Sequence, residues 1–325
     1  MCSRILHRTE PFSHLSLFLS LSLSLSVSLP HTHTHLSICT SDYRYWLERY
    51  PHVEGIVMTG GSALNVPLNS AIHRTFGMPV FVSSAPNDAG LALGGAWLAT
   101  PPPPTKAFHR SSSDAFLGPE LWDGGAPALE AAAMAHGATR VVSPSETLAA
   151  LLAEGKIVAV VRGRSEYGPR ALGHRSLLAD PTRADTKERL NRIKHREWWR
   201  PVAPMVAYET VDEVFEERVW SPYMSFAPRL RPGMAAALPA IAHFDGTARV
   251  QTVSRDVDPW LHALLMAFKE KSDFAVLCNT SFNTRGRPII NRLDEALELL
   301  WATDDLDYLY VDGWLFSKEG GGVGG

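Results

Sequence analysis

The sequence predicts an α/β or α+β protein built on a twisted mixed sheet, and three observations carry that expectation. Short apolar runs with strand character alternate with helical patterns over most of the chain. Glycines stand where those elements end, at Gly60-Gly61, Gly77 and Gly155. The 325 residues, 45% hydrophobic and 20% charged, suffice for two globular domains with cores of their own.

The elements follow in order. Residues 1–40 stand apart: Leu and Ser alternate, then His and Thr, in "LSLFLSLSLSLSVSLPHTHTHLS". That tract is too polar for a membrane-spanning helix. Arg4, His7 and Arg8 ahead of it give the outline of a signal peptide, but serine interrupts every apolar run. Strict alternation of this kind is what a translated dinucleotide repeat looks like. Residues 1–40 are therefore expected to lie outside the fold, as a disordered stretch or a gene-model artefact. His31, His33 and His35 read as part of the repeat.

From 41 to 100, a short strand at 55–59 runs into Gly60-Gly61 and then into the helical pattern "SALNVPLNSAIHRTF", with Pro67 near its start. "MPVFVSS" is the next strand, and "NDAGLALGGAWLAT" a small-residue helix opened by Asn87 or Asp88. Sixty residues of this kind make part of a nucleotide-binding type of domain. Residues 101–140, Pro- and Ser-rich at their start, read as a linker.

A second domain is expected over 141–318. "SPSETLAALLAEG" offers Ser143 as N-cap, Pro144 at the first helical position and Glu146 to complete a capping box. "KIVAVVRGR" is a buried strand. "DTKERLNRIKHREWW" is a basic helix with Asp185 and Glu188 as a second capping box. "TARVQTV" and "DFAVLCNTSFN" are strands, "PWLHALLMAFKEK" and "RLDEALELLWAT" helices, and "DYLYVDGWLF" a closing strand or hairpin. Residues 319–325 form a frayed glycine tail.

Composition excludes several functions. The net charge of −3 argues against stable nucleic-acid binding or attachment to an anionic membrane. Cys2, Cys39 and Cys278 are odd in number and far apart, so neither a disulfide scaffold nor a structural zinc site is expected. A reducing, cytoplasmic setting fits that usage. Ahead of the glycine tail the chain contains no phosphate-binding GxxxxGK[ST] loop, no GxGxxG and no GxSxG.

The charge distribution is more telling than the total. Between Arg162 and Arg200 eleven Lys/Arg face five Asp/Glu, a local +6 that leaves −9 for the rest. Arg162, Arg164, Arg170 and Arg175 are set among glycines in a loop leaving a buried strand. Glycine lets a ligand approach the backbone, and guanidinium matches the oxygens of phosphate or carboxylate. Glu166, Asp180 and Asp185 are expected to neutralise one or two of these arginines, not all. Arg189, Arg192 and Arg196 share a helical face, Lys194 projects elsewhere, and Arg200 follows Trp198 and Trp199, which are expected to pack in the core. Asp245, Thr247 and Arg249 at one strand entry, and Asn279, Thr280, Ser281 and Asn283 at another strand exit, suit polar contacts to a nucleotide or a carbamoyl group; turn formation accounts for them equally well.

Taken together, "GRSEYGPRALGHRSLLADP", "LNRIKHREWWRPVAP", "SPYM", "HFDGTARVQTV" and "LCNTSFNTRGRPI" occur in the order seen in the carbamoyltransferases that act on nodulation factors and on antibiotics. "GGSALNVPLNSAI" and "NDAGLALGGAW" resemble the end of that family's first domain. The resemblance implies a C-terminal remnant of a Kae1-like domain, of the actin and sugar-kinase type, followed by a YrdC-like domain. It implies formation of carbamoyladenylate from carbamoyl phosphate and ATP with Mg2+ in the second domain. Transfer to a hydroxyl of a small-molecule acceptor is implied for the first. Lys194, Arg200 and Arg249 then match catalytic anion contacts, and Arg170, Asn279 and Ser281 match substrate contacts. Gly60, Gly61 and Asn65 match the nucleotide loop of the first domain, and Asp88 its carboxylate ligand to a divalent Fe or Zn. The family's paired-histidine motif is missing here, so that metal site is expected to be incomplete. The alternative is a non-catalytic fragment or subunit that binds nucleotide and needs a partner chain. An unfinished first domain is expected to leave apolar surface uncovered and to favour a partner chain or self-association.

Overall fold

The computed structural model describes residues 17–20, 44–101, 115–121 and 125–318. The histidines of the repeat, Cys2, Cys39 and the glycine tail lie outside the described residues. The chain divides into two compact units, residues 1–107 with 225–227, and residues 108–224 with 228–325. No helix among the described residues is long and apolar enough to cross a membrane.

The first unit holds a three-stranded parallel sheet, β1 (Leu17–Ser20), β2 (Ile56–Thr59) and β3 (Val80–Val82), in that order. β1 corrects the expectation that residues 1–40 stay outside the fold: Leu17 to Ser20 pair in register with Ile56 to Thr59. Two-residue alternation is a strand pattern whatever its origin. Gly60, at φ 84°, turns the chain out of β2. A single 3-10 turn leads into helix α1 (Val66–Phe76), closed by left-handed Gly77. Helix α2 (Gly90–Ala99) leaves Leu91, Trp97 and Leu98 exposed. Its opening turn is made by the carbonyls of Asn87 and Asp88, not by their side chains.

The second unit starts earlier than the sequence suggested. Helix α3 (Gly125–Ala135) and strand β4 (Thr139–Arg140) belong to it, within the stretch read as a linker. "ALEAAAMA" is made of strong helix formers, and the proline-rich composition before it hid the signal. The order continues with α4 (Pro144–Ala153), β5 (Val158–Val161), β6 (Arg175–Ala179), α5 (Thr186–Ile193) and β7 (Ala203–Ala207). Then come β8 (Gln251–Val253), α6 (Pro259–Ser272), β9 (Val276–Ser281), α7 (Leu293–Ala302), β10 (Tyr308–Val311) and β11 (Trp314–Ser317). Eight strands form one mixed sheet in the order β4-β11-β10-β5-β6-β9-β7-β8. The pairs β5/β10 and β7/β8 are parallel and the others antiparallel. This is the mixed sheet the alternating pattern predicts.

The core explains the order. Leu148 and Leu152 of α4 and Leu261, Leu264, Leu265 and Phe268 of α6 cover one face of the sheet. They meet Val158, Val160, Leu178, Met205, Val253 and Leu277. Burying side chains of this size stabilises the fold by about 1.5–3 kcal/mol each. Asp258 caps α6 by accepting from Leu261 N at 3.0 Å. Ser143 and Asp185 make no side-chain cap bond, so both expected capping boxes are absent. Asp312 and Gly313, at φ 36° and 92°, make the tight turn of the β10–β11 hairpin.

Candidate functional site

The site is built on the segment joining β5 to β6, residues 162–174. Glu166 pins it from within: Oε1 accepts from the backbone N–H groups of Leu172 (2.7 Å), His174 (2.9 Å) and Arg175 (3.2 Å). Gly173 adopts φ 112°, and a Cβ there would lie 2.7 Å from a methyl of Leu261, so the loop packs directly on α6. His174 stacks on Phe116 with centroids 3.6 Å apart. Burial, and then the Arg162 charge, hold its pKa down at about 2, so the ring is neutral.

Three of the four arginines expected in the loop are structural. Arg162 pairs with Asp258 and lies 4.7 Å over the Trp260 ring. Arg164 donates to the carbonyls of Leu117 and Gly118. Arg175 is not a loop residue: it opens β6, is fully buried, and donates to the carbonyls of Arg162, Gly163, His174 and Pro119. One of the three, Arg162, is neutralised by a carboxylate, within the expected one or two, but by Asp258 and not by Glu166, Asp180 or Asp185; the other two are tied by carbonyls. Only Arg170 makes no hydrogen bond or ion pair among the described residues, and burial lowers its pKa.

The basic segment divides the same way. Arg189 reaches Asp305, Asp307 and the Gly155 carbonyl, and Arg192 reaches Asp305 and Glu188. Both bind the start of β10 to α5. The helix stops at Ile193, and His195 turns through φ 46°, so Arg196 does not share their face. Asn191 ties the following loop, donating to the carbonyls of Trp198 (2.9 Å) and Arg200 (3.0 Å) and accepting from Arg196 Nε. Trp198 and Trp199 are 69% and 49% exposed, not core residues, because the turn at His195 carries them off the inner face.

Sheet alternation supplies the rest. Leu277, Asn279 and Ser281 share one face of β9; the first enters the core and the next two project beyond it. Lys194, nearly buried, donates to Ser281 O (2.6 Å), Ser281 Oγ (3.0 Å) and Asn283 Oδ1. Asn279 Nδ2 donates to Ala171 O (3.0 Å) and Gln251 Oε1 (2.7 Å), while Gln251 Nε2 donates to Leu172 O (2.8 Å). Arg249 stands two residues before Gln251 in the chain.

The cations of this end act on one another. Burial, then Arg196 and Arg200, lower the Lys194 pKa to about 7. Burial, then Arg200, lower Arg196 to about 10. Burial, then Arg170, Arg196 and Arg200, lower Arg249 to about 10. Arg249 Nε and Arg196 Nη2 are buried with no partner. The nearest carboxylate to any of the five is Glu197, 3.9 Å from Arg200 at the exposed rim. Like charges held together and partly dry require an anion to balance them.

The structure thus brings together Arg170, Lys194, Arg200, Arg249, Asn279 and Ser281. Sequence reading named Arg196 only as part of a helical face with Arg189 and Arg192, named Asn283 only among the polar groups at a strand exit, and left out Gln251. Gln251 carried a signal, its two-residue spacing from Arg249 on a strand. Asp245 and Thr247 prove to be turn residues, with Asp245 Oδ1 accepting from Thr247 N and Oγ1.

Gly60, Gly61, Asn65 and Asp88 lie in the first unit. Asn65 caps α1, accepting from Leu68 N at 3.1 Å. Asp88 stands in the turn before α2. Among the described residues no group of three or more His, Cys, Asp or Glu is placed to hold a metal ion, so the described residues around Asp88 do not by themselves make a metal centre. Cys278 is buried in β9 and burial pushes its thiol pKa up, as an inert core residue requires.

Residues 149–318 match the family model described as "Carbamoyltransferase C-terminus". The nodulation protein NolNO of Sinorhizobium fredii is 37% identical over 276 residues, covering 82% of this chain and 40% of that protein. The 3'-hydroxymethylcephem-O-carbamoyltransferase of Amycolatopsis lactamdurans is 36% identical over 280 residues, covering 84% of this chain and 51% of that one. The chain spans about half the length of these relatives. Among solved structures, full-length HypF in its phosphate- and nucleotide-bound form is similar at TM-score 0.34 and 21% identity, over 51% of this chain and 22% of that chain.

Proposed function

The chain belongs to the carbamoyltransferase family, and we propose that its second unit forms carbamoyladenylate from carbamoyl phosphate and ATP. The observation that carries this reading is the group of five cations with a single carboxylate within 4 Å among the described residues, Glu197 at the exposed rim, set beside two buried amides. Both substrates are anions, and carbamoyl phosphate has a small polar acyl end that suits the amides.

The chemistry assigns the roles. Pyrophosphate leaves ATP only if an oxygen nucleophile attacks the α-phosphorus. Carbamoyl phosphate supplies that oxygen after water takes its phosphoryl group, leaving carbamate and inorganic phosphate. Carbamate then attacks ATP, forming the carbamoyl–phosphate bond of the adenylate as pyrophosphate departs. Charge builds at the phosphoryl groups in both steps. Lys194, Arg200 and Arg249 stabilise it, and Arg170 and Arg196 enclose it. Ser281 and Asn283 hold Lys194 in place through its three donors. The adenylate is then the donor to a hydroxyl of a small-molecule acceptor, the O-carbamoyl transfer named in the Amycolatopsis relative. The sparse cysteines, with Cys278 free and buried, support a reducing, cytoplasmic setting for the reaction.

The test is pyrophosphate release by the full 325-residue chain with ATP and Mg2+, with and without carbamoyl phosphate. Release that requires carbamoyl phosphate, and that is lost in Arg200→Ala and Lys194→Ala, supports the proposal. Folded protein that binds both compounds yet releases no pyrophosphate overturns it in favour of a nucleotide-binding subunit.

A further inference from the structure

Trp198 and Trp199 stand at the two corners of a tight turn. Arg200 N donates to Glu197 O at 3.2 Å, which closes the turn from Glu197 to Arg200. Asn191 Nδ2 donates to the carbonyls of Trp198 (2.9 Å) and Arg200 (3.0 Å), so the turn is fixed to the last stretch of α5. Turn corners favour Gly, Pro, Asn, Asp and Ser, each for a backbone reason that tryptophan does not meet. Neither ring is a core residue, at 69% and 49% exposed. Among the described residues neither stacks on another aromatic ring or on a cation. Two large aromatic faces held out on a pinned turn are complementary to a partner of their own kind.

The position of the turn identifies that partner. Trp198 and Trp199 lie between Arg196 and Arg200 in the chain, and the charges of both arginines act on Lys194 and Arg249. The turn is therefore part of the cation group, with Arg200 at its exposed rim. A ligand that spans rim and turn is anionic at one end and planar at the other. A nucleotide has that make-up, polyphosphate and purine. We propose that Trp198 and Trp199 form a platform on which the purine of ATP stacks while Arg200, in the same turn, holds its phosphates. This rests on the reading of the cation group as the place where ATP reacts. Carbamoyl phosphate has no ring, so the platform serves ATP alone and distinguishes two substrates that the cations attract alike.

The test compares ATP with methyl triphosphate, which carries the same charge and lacks the base. With the full 325-residue chain, calorimetry gives the dissociation constant of methyl triphosphate, and displacement of that ligand gives the constant of ATP. ATP is expected to bind about tenfold to a hundredfold tighter, the worth of stacking one base. In Trp198→Ala with Trp199→Ala the ratio falls toward one. In Trp198→Phe with Trp199→Phe it is largely kept, because phenylalanine also offers a π-face. The ratio cancels any weakening common to both ligands, which is what a merely structural role would give. Equal affinities in the unsubstituted chain overturn the proposal. So does a ratio unchanged in the alanine pair, which would leave the turn to a polypeptide or an apolar acceptor, and so does a phenylalanine pair that loses the ratio as fully as alanine. If the alanine pair does not fold, Trp198→Ala, at the more exposed corner, decides in the same way. If neither compound binds, or ATP binds without displacing methyl triphosphate, the underlying reading of the cation group is overturned instead.

Discussion

Replacing Lys194 by Met should change how stability depends on pH, by an amount the structure sets. Lys194 titrates near 7 in the folded chain against an ordinary 10.5, chiefly through burial and then through Arg196 and Arg200. Between those values the unfolded chain binds a proton that the folded chain does not. Stability therefore rises with pH across the window from about 7 to about 10.5, and the full penalty is present below about 7. Its size is about 5 kcal/mol at about 1.4 kcal/mol per pH unit. Lys194→Met removes the titrating group along with its bonds to Ser281 and Asn283. Those lost bonds add a constant, which cancels from the slope. Urea unfolding of both proteins at pH 6.5, 8 and 9.5 should show the unsubstituted chain gaining on the variant by about 1.4 kcal/mol per unit above pH 7. Saturating phosphate should flatten that gain, because a bound anion keeps Lys194 protonated. Parallel pH curves without ligand would refute the reasoning: Lys194 would then be an ordinary exposed ammonium, and the cations would not share a dry site.

Arg200→Ala should leave the chain folded and weaken phosphate binding about tenfold or more, the loss of one charge-assisted bond, as read by calorimetry. It should also move the onset of the Lys194 slope to higher pH, since Arg200 is one of the charges that lower it. Arg175→Met should destabilise by about 3 kcal/mol or more in urea unfolding, because four carbonyls lose a donor in a fully buried place, and those of His174 and Pro119 alone keep a backbone one. Arg175→Lys should not recover it, since one ammonium cannot reproduce the fork. Gly173→Ala should cost about 1–3 kcal/mol, from φ 112° and the 2.7 Å approach to Leu261. A Gly173→Ala protein as stable as its parent would show that the loop is not seated on α6.

Much of the fold was legible because pattern and packing agree. "IVAVV" and "AVLC" are continuous apolar runs, and the strands they form are buried on both sides. Helices α4, α6 and α7 carry the spacing of a one-sided apolar face. Two strands were not legible. β6 opens with Arg175 and Ser176, which read as the end of a polar loop, yet both are buried. β7 contains Pro204, and proline in a run argues against a central strand. Local propensity was overridden in both cases by pairing with β9, a partner about 70 to 100 residues away in the chain.

The site was legible only as a population of charges. Between Arg162 and Arg200 the cations look alike in the sequence, and what sorts them is the position of their acceptors. Arg164 finds its carbonyls 46 and 47 residues back, Arg162 its carboxylate 96 residues on, and Arg189 and Arg192 theirs more than 110 residues on. No local pattern encodes such distances. Once these arginines are tied down, Arg170, Lys194, Arg196, Arg200 and Arg249 remain with five charges and, within 4 Å among the described residues, one carboxylate, Glu197 at the rim. A fold gains nothing from burying mutually repelling cations, so each lowered pKa marks a local loss of stability. Such a loss is the usual mark of a place shaped for a ligand. A site of this make-up is complementary to an anion.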